Sequence, residues 1–302
     1  MLIPEEMKKC VVFVAMEKNS GGKQMMGTAF LVGRHLEGTD RSEVYLVTAK
    51  HVIDEIRKHS AYKVFLRVNL RQGGWAWYET PLEDWLSHPD EDQVDVSVLP
   101  FPCNELVDII FLPLAVFATK DTIGREGIGI GDEVFLIGLF SQHYGSERNI
   151  PIARVGNIAA MPEEKVATTG WGDMEAYLVE ARSIGGISGS PVFVYLGAHR
   201  RSGKMVIGQP SFYLLGLMHG HWDQPQSALD YKLGMGGERI NTGIAIVVPA
   251  TKILEVVKQP SLEKIADEMA MELRLRNFPI PDVSIVDTSM VSKDPDDTSP
   301  EI

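Results

Sequence analysis

Short runs of apolar residues, separated by turn residues, fill the chain up to about residue 250, and long stretches with helical spacing are rare there. Runs of about four to eight such residues are typical of β-strands. Because parallel sheets need helical crossovers, a strand-rich chain with few helices predicts an antiparallel, all-β fold, built as two barrels or as a large sandwich. The predicted strands are Cys10–Met16, Gly27–Val32, Val44–Thr48, Val64–Val68, Trp75–Tyr78, Val94–Leu99, Glu133–Phe140, Ile152–Ala159, Ala176–Glu180, Val192–Leu196, Phe212–Met218 and Gly243–Val248.

Helical patterns appear in three places. One or two turns of helix are predicted after Val52, and two longer helices follow the last strand, one over Ala250–Lys258 and one from Ser261, as N-cap, to about Arg276. Apolar residues cover more than one face of the last helix, so part of that surface is exposed unless a partner protein docks there. Residues 279–302 are rich in Asp, Ser, Thr and Pro, which predicts an acidic, disordered tail.

Composition and charge narrow the classes of partner. Hydrophobic residues make up 44% of the chain and charged residues 23%, as in ordinary globular proteins. With 29 Lys and Arg against 41 Asp and Glu, the formal charge is −12, which argues against a nucleic-acid partner. No apolar stretch reaches the roughly 18 residues of a membrane helix, and Val11–Met16 is too short for a signal peptide. No membrane partner and a cytoplasmic location are predicted.

Only two cysteines are present, Cys10 and Cys103, which cannot form a disulfide framework. Both are predicted to be reduced thiols in the core, although the sequence leaves a single bridge between them open.

A serine between glycines stands out in the hexapeptide Gly186–Pro191, directly ahead of a predicted strand. The glycines let the backbone turn tightly, so that the hydroxyl of Ser188 projects and the amides of Gly186 and Ser188 can point to one spot, where an oxyanion would bind. A simple glycine-rich turn is the structural alternative. A serine hydroxyl is a weak nucleophile at neutral pH, so the chemical interpretation requires a base beside it.

A histidine and an aspartate in the first half of the chain are candidates for that base and its partner. The buried-type strand that ends at Ala49 delivers His51 to a helical turn, although an isolated histidine there can be purely structural. Asp95 lies in an apolar run, where a lone carboxylate is costly without a partner unless it faces solvent at the strand end. Because a buried carboxylate fixes the tautomer of a catalytic histidine, the order His, Asp, Ser predicts a triad of His51, Asp95 and Ser188.

The segments Leu46–Val52, Asp95–Leu99 and Gly186–Pro191 resemble the three sequence blocks of the chymotrypsin-fold (trypsin-like) serine peptidases, most closely the bacterial, disulfide-poor HtrA (Deg) branch. Four more segments agree with that family: Gly27–Phe30, Gly131–Val134, Leu215–Leu217 and Ala245–Pro249. The resemblance covers about residues 9–258 and implies two perpendicular, antiparallel six-stranded β-barrels with the site in the cleft between them. No PDZ-type peptide-binding domain is expected in residues 259–302.

The expected organisation follows from this resemblance. Residues 1–113 form the barrel that carries His51 and Asp95, and residues 114–258 form the barrel that carries Ser188 and ends in a helix. Residues 259–278 form an extra helix, and residues 279–302 form the tail.

The resemblance also implies a function, serine endopeptidase activity on a protein or peptide substrate. His51 is then the general base, Asp95 orients it, and Ser188 forms the acyl-enzyme, with the amides of Gly186 and Ser188 as the oxyanion hole. Ile187 stands where digestive relatives carry an acid that pairs with a newly cut N-terminus, so activation by N-terminal cleavage is not expected. No cofactor and no metal are expected.

Substrate-binding residues are implied on both sides of the nucleophile. Arg182 lies at the expected base of the primary pocket, where it would favour an acidic substrate side chain, unless it pairs with Glu180 or points outward. The expected pocket wall contains Leu217, Met218 and His219.

Three other interpretations compete. His219, His221 and Asp223 have the spacing of a metal-binding H-x-H-x-D motif, with a lining of the substrate cleft as the simpler alternative. The glycines in 127–131 suggest a nucleotide loop, but a predicted strand follows them where such a loop needs a helix, so a turn is expected. The alternative of a different class is a catalytically silent protease fold that binds peptides or a regulatory partner.

Overall fold

A computed structural model of the 302-residue chain describes residues 2–59, 62–89, 91–168, 171–181, 186–197, 212–225 and 239–276. The predicted tail over 279–302 lies outside these residues, and so does Arg182.

The first module is an antiparallel sheet of eight strands, whose order is β5-β4-β1-β2-β3-β7-β6, with β8 paired in parallel to β2. Six of its strands are four residues or longer, and β6 and β8 have two residues each. Its strands are β1 (Val11–Glu17), β2 (Lys23–His35), β3 (Ser42–Thr48), β4 (Lys63–Asn69), β5 (Trp75–Pro81), β6 (Leu86–Ser87), β7 (Ser97–Pro100) and β8 (Leu112–Pro113).

The second module is a closed six-stranded barrel with the order β10-β13-β16-β15-β14-β9. Antiparallel pairing of β9 with β10 closes it. Its strands are β9 (Glu133–Gly138), β10 (Ile152–Ala160), β13 (Tyr177–Glu180), β14 (Pro191–Tyr195), β15 (Phe212–Pro225) and β16 (Arg239–Pro249). A separate two-stranded ribbon is formed by β11 (Val166–Thr168) and β12 (Gly172–Met174).

Burial explains why the apolar runs form these strands. Phe13, Phe30 and Leu46 in the central strands of the first sheet are fully buried, and so are Val192 and Leu215 in the barrel. Burying a side chain of this size stabilises the fold by about 1.5–3 kcal/mol relative to leaving it exposed. The amino-acid sequences of the central strands are therefore nearly continuous apolar runs.

The described residues also contain three short 3-10 helices (Glu5–Cys10, Leu82–Asp84 and Leu114–Val116) and four α-helices: α1 (Lys50–Lys58), α2 (Lys120–Glu126), α3 (Ala250–Val257) and α4 (Pro260–Arg276). The prediction for α3 agrees closely with the structure, whereas α1 begins two residues before Val52 and α4 begins at Pro260 rather than after Ser261. Helix α2 was not predicted. No helix among the described residues is long and apolar enough to cross a membrane.

The predicted fold class is confirmed: an all-β, chymotrypsin-like arrangement of two antiparallel modules with C-terminal helices. The strand predicted over Val94–Leu99 is wrong at its start, because β7 begins at Ser97. The short strands β6, β8, β11 and β12 were not predicted, and β2 and β15 are longer than predicted. The amide of Val96 donates to the carbonyl of Val94 in a tight turn, so Asp95 lies in that turn and outside the sheet.

Both cysteines are free thiols, as predicted. Burial raises the pKa of Cys10 to about 12 and that of Cys103 to about 11, which keeps both thiols protonated and unreactive near neutral pH.

Candidate active site

The first turn of α1 positions His51. Strand β3 ends at Thr48, and the fully buried Ala49 precedes the helix, so the chain leaves the core of the first module just before His51. About a third of the His51 side chain, 31%, is exposed. The ring therefore lies at the surface of the first module, where it remains accessible.

Asp95 holds this histidine through two atoms. Its Oδ1 accepts a hydrogen bond from the His51 amide over 2.8 Å, and its Oδ2 lies 2.8 Å from His51 Nδ1. The carboxylate is completely buried. A buried carboxylate on Nδ1 favours the tautomer with the proton on Nδ1, which leaves the lone pair of Nε2 free to accept a proton.

A second imidazole shares the same carboxylate. Nδ1 of His219 lies 2.5 Å from Asp95 Oδ2, and the rings of His51 and His219 pack edge to face with their centres 5.2 Å apart. The sequence resemblance placed His219 on the pocket wall; the structure turns its ring to Asp95.

These contacts shift the pKa values of both His51 and Asp95. Burial alone would raise the pKa of Asp95, but the charge of His51 and the hydrogen bonds from His219 and His51 hold it well below its ordinary range. Burial alone would lower the pKa of His51, but the charge and hydrogen bond of Asp95 outweigh it and raise the pKa above its ordinary value. Asp54 and Glu55 add smaller contributions in the same direction.

Two glycines with positive φ shape the loop that carries Ser188. Gly186 has a φ of +94° and Gly189 a φ of +84°, a backbone conformation that side chains with a Cβ rarely adopt. The amide of Gly189 donates to the carbonyl of Met218 over 2.8 Å, which ties the loop to β15. The two glycines that flank Ile187 and Ser188 therefore mark a real constraint on the backbone.

The hydroxyl of Ser188 donates to the main-chain carbonyl of His219 over 3.1 Å. Within the described residues it makes no hydrogen bond to His51. The amides of Gly186 and Ser188 likewise have no hydrogen-bond acceptor within the described residues, and both residues are partly exposed. Within the described part of the chain, the loop therefore presents one hydroxyl and two main-chain donors that have no acceptor.

Thr28 connects this loop to the first module, a role that the sequence did not reveal. Its amide donates to the carbonyl of Ser188 over 2.9 Å, and its hydroxyl donates to the carbonyl of Gly186 over 3.2 Å. The same hydroxyl accepts from the amide of Leu139 over 2.9 Å. The sequence offered two signals: Thr28 is a polar residue within an apolar run, and it lies in Gly27–Phe30, one of the segments of the family resemblance.

Trp171 covers the two histidines from the side of the β11–β12 ribbon. Its ring lies 6.2 Å from that of His51 and 6.1 Å from that of His219, measured between ring centres. Its indole N–H donates to the carbonyl of Gln93 over 2.9 Å. The indole ring thus lies beside both imidazoles.

The other residues that the sequence analysis singled out lie in the core, in a turn or outside the described residues. Leu217 and Met218 are buried in the two cores, so any contact of theirs with a substrate would use the main chain, and that contact stays a prediction. Residues 127–131 form a turn ahead of β9, which confirms the turn interpretation. The side chain of Asp223 lies outside the described part of the chain.

Among the residues that the structure describes, two groups of side chains have ligand atoms within 4.8 Å of one another, as a metal site requires: His51 with Asp95 and His219, and His88 with Glu91 and Glu255. In the first group both imidazoles already bond to one carboxylate oxygen. In the second, the ammonium of Lys252 contacts both Glu91 and Glu255. Hydrogen bonds and ion pairs therefore account for both groups.

Comparisons with known proteins give structural matches only. No protein-family model matches the chain, and no curated protein matches it. The solved structure of Deg5 is similar, with 14% identity over 83% of this chain and 88% of that one and a TM-score of 0.46. Rv3671c from M. tuberculosis H37Rv, in an inactive form, has 16% identity over 83% of this chain and 86% of that one and a TM-score of 0.44. Neither similarity is high enough to transfer an activity.

Proposed function

We propose that the chain is a serine endopeptidase in which Ser188, His51 and Asp95 act together. The observation that carries the proposal is the double contact of His51 with the fully buried Asp95. Burying a carboxylate is costly, and a histidine that is held by it through both the main chain and Nδ1 has its Nε2 prepared as a base. Ser188 is the candidate nucleophile, since its hydroxyl bonds to His219, which shares Asp95 with His51.

The chemistry follows from these positions. The Ser188 hydroxyl turns from the His219 carbonyl to His51, transfers its proton to Nε2, and its oxygen forms a bond to the carbonyl carbon of the scissile peptide. The amides of Gly186 and Ser188 hold the resulting oxyanion. His51 then gives the proton to the leaving amine as the C–N bond breaks, and a water molecule hydrolyses the acyl-enzyme by the same steps.

One observation favours the alternative, a silent protease-fold module that binds peptides or a regulatory partner. The Ser188 hydroxyl is bonded to a main-chain carbonyl, and among the described residues it has no bond to His51. A chain that stays in this state would bind a peptide in the cleft without cleaving it. The two functions differ in whether His51 activates Ser188.

A fluorophosphonate probe tests the proposal without knowledge of the substrate. An activated serine displaces fluoride from phosphorus and forms a stable P–O bond. The wild-type protein is expected to become labelled on Ser188, and Ser188→Ala is expected to remain unlabelled.

Ser190→Ala is the matched control for this labelling experiment. Ser190 lies two residues away and is fully buried, and its hydroxyl has no hydrogen-bond partner among the described atoms. Ser190→Ala should therefore label like the wild type. Absence of labelling of folded wild-type protein would favour the silent module instead.

The labelling rate is expected to fall as the pH is lowered, and we call this fall the pH limb. Its midpoint should lie above pH 6.5, which is about the ordinary pKa of histidine. His51 accepts the serine proton only when its ring is neutral, and Asp95 raises its pKa, so reactivity is lost as the pH falls through that raised value. The second-order labelling rate measured between about pH 5 and 9 checks this. A limb well below 6.5 would mean that Asp95 does not act on His51 in solution.

The finer features of the function remain proposals. A protein or peptide is the proposed substrate, and a preference for an acidic substrate side chain, which would face Arg182, is proposed with it.

The last helix, α4, exposes Ile265, Met269 and Met271, which supports docking of a partner protein there. The cytoplasmic location is supported by two free cysteines.

A further inference from the structure

We propose that His219 is a positioning residue of the active site, which fixes the Asp95 carboxylate from the side opposite His51 and tunes the basicity of His51. The inference deepens the proposed function and rests on it. Nδ1 of His219 and Nδ1 of His51 lie 2.5 Å and 2.8 Å from the same oxygen, Asp95 Oδ2. A carboxylate oxygen has two lone pairs, so one oxygen can accept both N–H groups.

A β-bulge brings His219 into this position. Met218 pairs with Val247 and Gly220 pairs with Ile246, so that His219 has no partner on β16. An extra residue of this kind interrupts the alternation of a strand and re-aims a side chain. The bulge therefore turns the His219 ring toward Asp95, and the spacing of His219 and His221 no longer places them on one face.

The main chain of His219 is fixed at the same time. Its carbonyl accepts the Ser188 hydroxyl, and the neighbouring residue Met218 exchanges main-chain hydrogen bonds with the Ser188 loop, from Gly189 to Met218 over 2.8 Å and from Met218 to Ser190 over 2.9 Å. One residue thus contacts the nucleophile through its backbone and the carboxylate through its side chain. This makes the relative position of Ser188 and Asp95 depend on His219.

The shared oxygen has a chemical consequence for His51. A carboxylate that already accepts an N–H from His219 stabilises the charged form of His51 less than one that serves His51 alone. The other charged groups that act on His51, Asp54 and Glu55, lie on its own helix and bond to Arg57 and Lys58, so they are unchanged by a substitution at 219. His219 therefore lowers the pH at which His51 becomes a usable base.

His219→Ala tests the proposal, with His219→Asn as the variant that keeps an N–H donor near the place of Nδ1. His219→Ala is expected to lower the maximal labelling rate of Ser188 by about 10²-fold through misplacement of Asp95 and His51. The midpoint of its pH limb should move to higher pH, because Asp95 Oδ2 then accepts a hydrogen bond from His51 alone. His219→Asn should recover the rate to within about tenfold of the wild type and return the limb toward the wild-type position.

A contact between the His219 side chain and the substrate would give a different result. It would change the concentration of probe or peptide needed for half-maximal rate and leave both the maximal rate and the pH limb in place. A merely structural role would lower the rate equally at every pH. Either outcome would overturn the proposal.

Proton NMR gives a readout that does not depend on activity. Each imidazole N–H in a short bond to Asp95 should produce its own far-downfield resonance, so the wild-type protein should show two. His219→Asn should remove one of them, His51→Ala the other, and Asp95→Asn both. A single such resonance in the wild type, unchanged by His219→Asn, would overturn the inference even if labelling of Ser188 confirms the proposed function. Two resonances in a protein that the probe does not label would instead contradict the proposed function alone.

Discussion

Replacing Asp95 with asparagine is expected to lower the labelling rate of Ser188 by about 10⁴-fold while the protein stays folded. The asparagine oxygen can keep the hydrogen bond from the His51 amide, which in the wild type spans 2.8 Å. Its amide nitrogen then faces Nδ1 of His51 and donates to it. The ring proton moves to Nε2, and His51 loses the lone pair that accepts the serine proton.

Asp92→Asn is the matched control for this substitution. Asp92 lies three residues upstream, its side chain is 98% exposed, and it pairs with Lys50 over 3.2 Å. Its labelling rate should equal that of the wild type, because an exposed ion pair contributes little and does not touch His51. Circular dichroism and thermal unfolding establish that both variants are folded. An Asp95→Asn rate within tenfold of the wild type would remove Asp95 from the mechanism.

The residue patterns predicted an antiparallel, all-β fold and drew attention to the segments around His51 and Ser188, for a physical reason. A buried strand needs an apolar run of limited length, and a tight turn needs glycine, so both leave local patterns in the sequence. His51 lies directly after such a run, and Ser188 lies between two glycines that adopt positive φ. A residue whose position depends on the strand or turn next to it can therefore be located from the sequence.

The contacts between distant segments could not be predicted. The ring of His219 faces Asp95 because a bulge forms where β15 pairs with β16, and pairing across strands leaves no local pattern. Thr28 is one polar residue in an apolar run, but the partners of its hydroxyl and its amide lie about 110 to 160 positions away. Asp95 was assigned to a strand because its neighbours are apolar, although it lies in a turn before Ser97.

The prediction missed helix α2 for a different reason. Its ends are marked in the sequence, by Thr119, whose hydroxyl accepts from the amide of Thr122, and by Gly127 in the left-handed conformation. The helix has only seven residues, which is too short for a helical spacing of apolar positions to stand out. The capping residues were the better signal here.

Gly189→Ala is expected to have the second largest effect, on both stability and reactivity. A Cβ at this position would lie 2.1 Å from the carbonyl oxygen of Thr28 and 2.4 Å from the hydroxyl of Thr48, and the φ of +84° adds strain. The clash and the strained φ each cost about 1–3 kcal/mol. Because the clash is with backbone, the Ser188 loop must move away from Thr28, and a shift of about 1 Å lowers the labelling rate by about 10²-fold.

Gly131→Ala separates the two causes. Gly131 has a φ of +91°, close to that of Gly189, but nothing lies within 4 Å of where its Cβ would be. This variant should therefore lose only the stability that the strained φ costs, and its labelling rate should stay that of the wild type. Thermal unfolding and labelling of both variants check this. If Gly189→Ala is no less stable than Gly131→Ala and labels at the wild-type rate, the loop is not held against Thr28 in solution, and the geometry that brings Ser188 near His219 and Asp95 would have to be different.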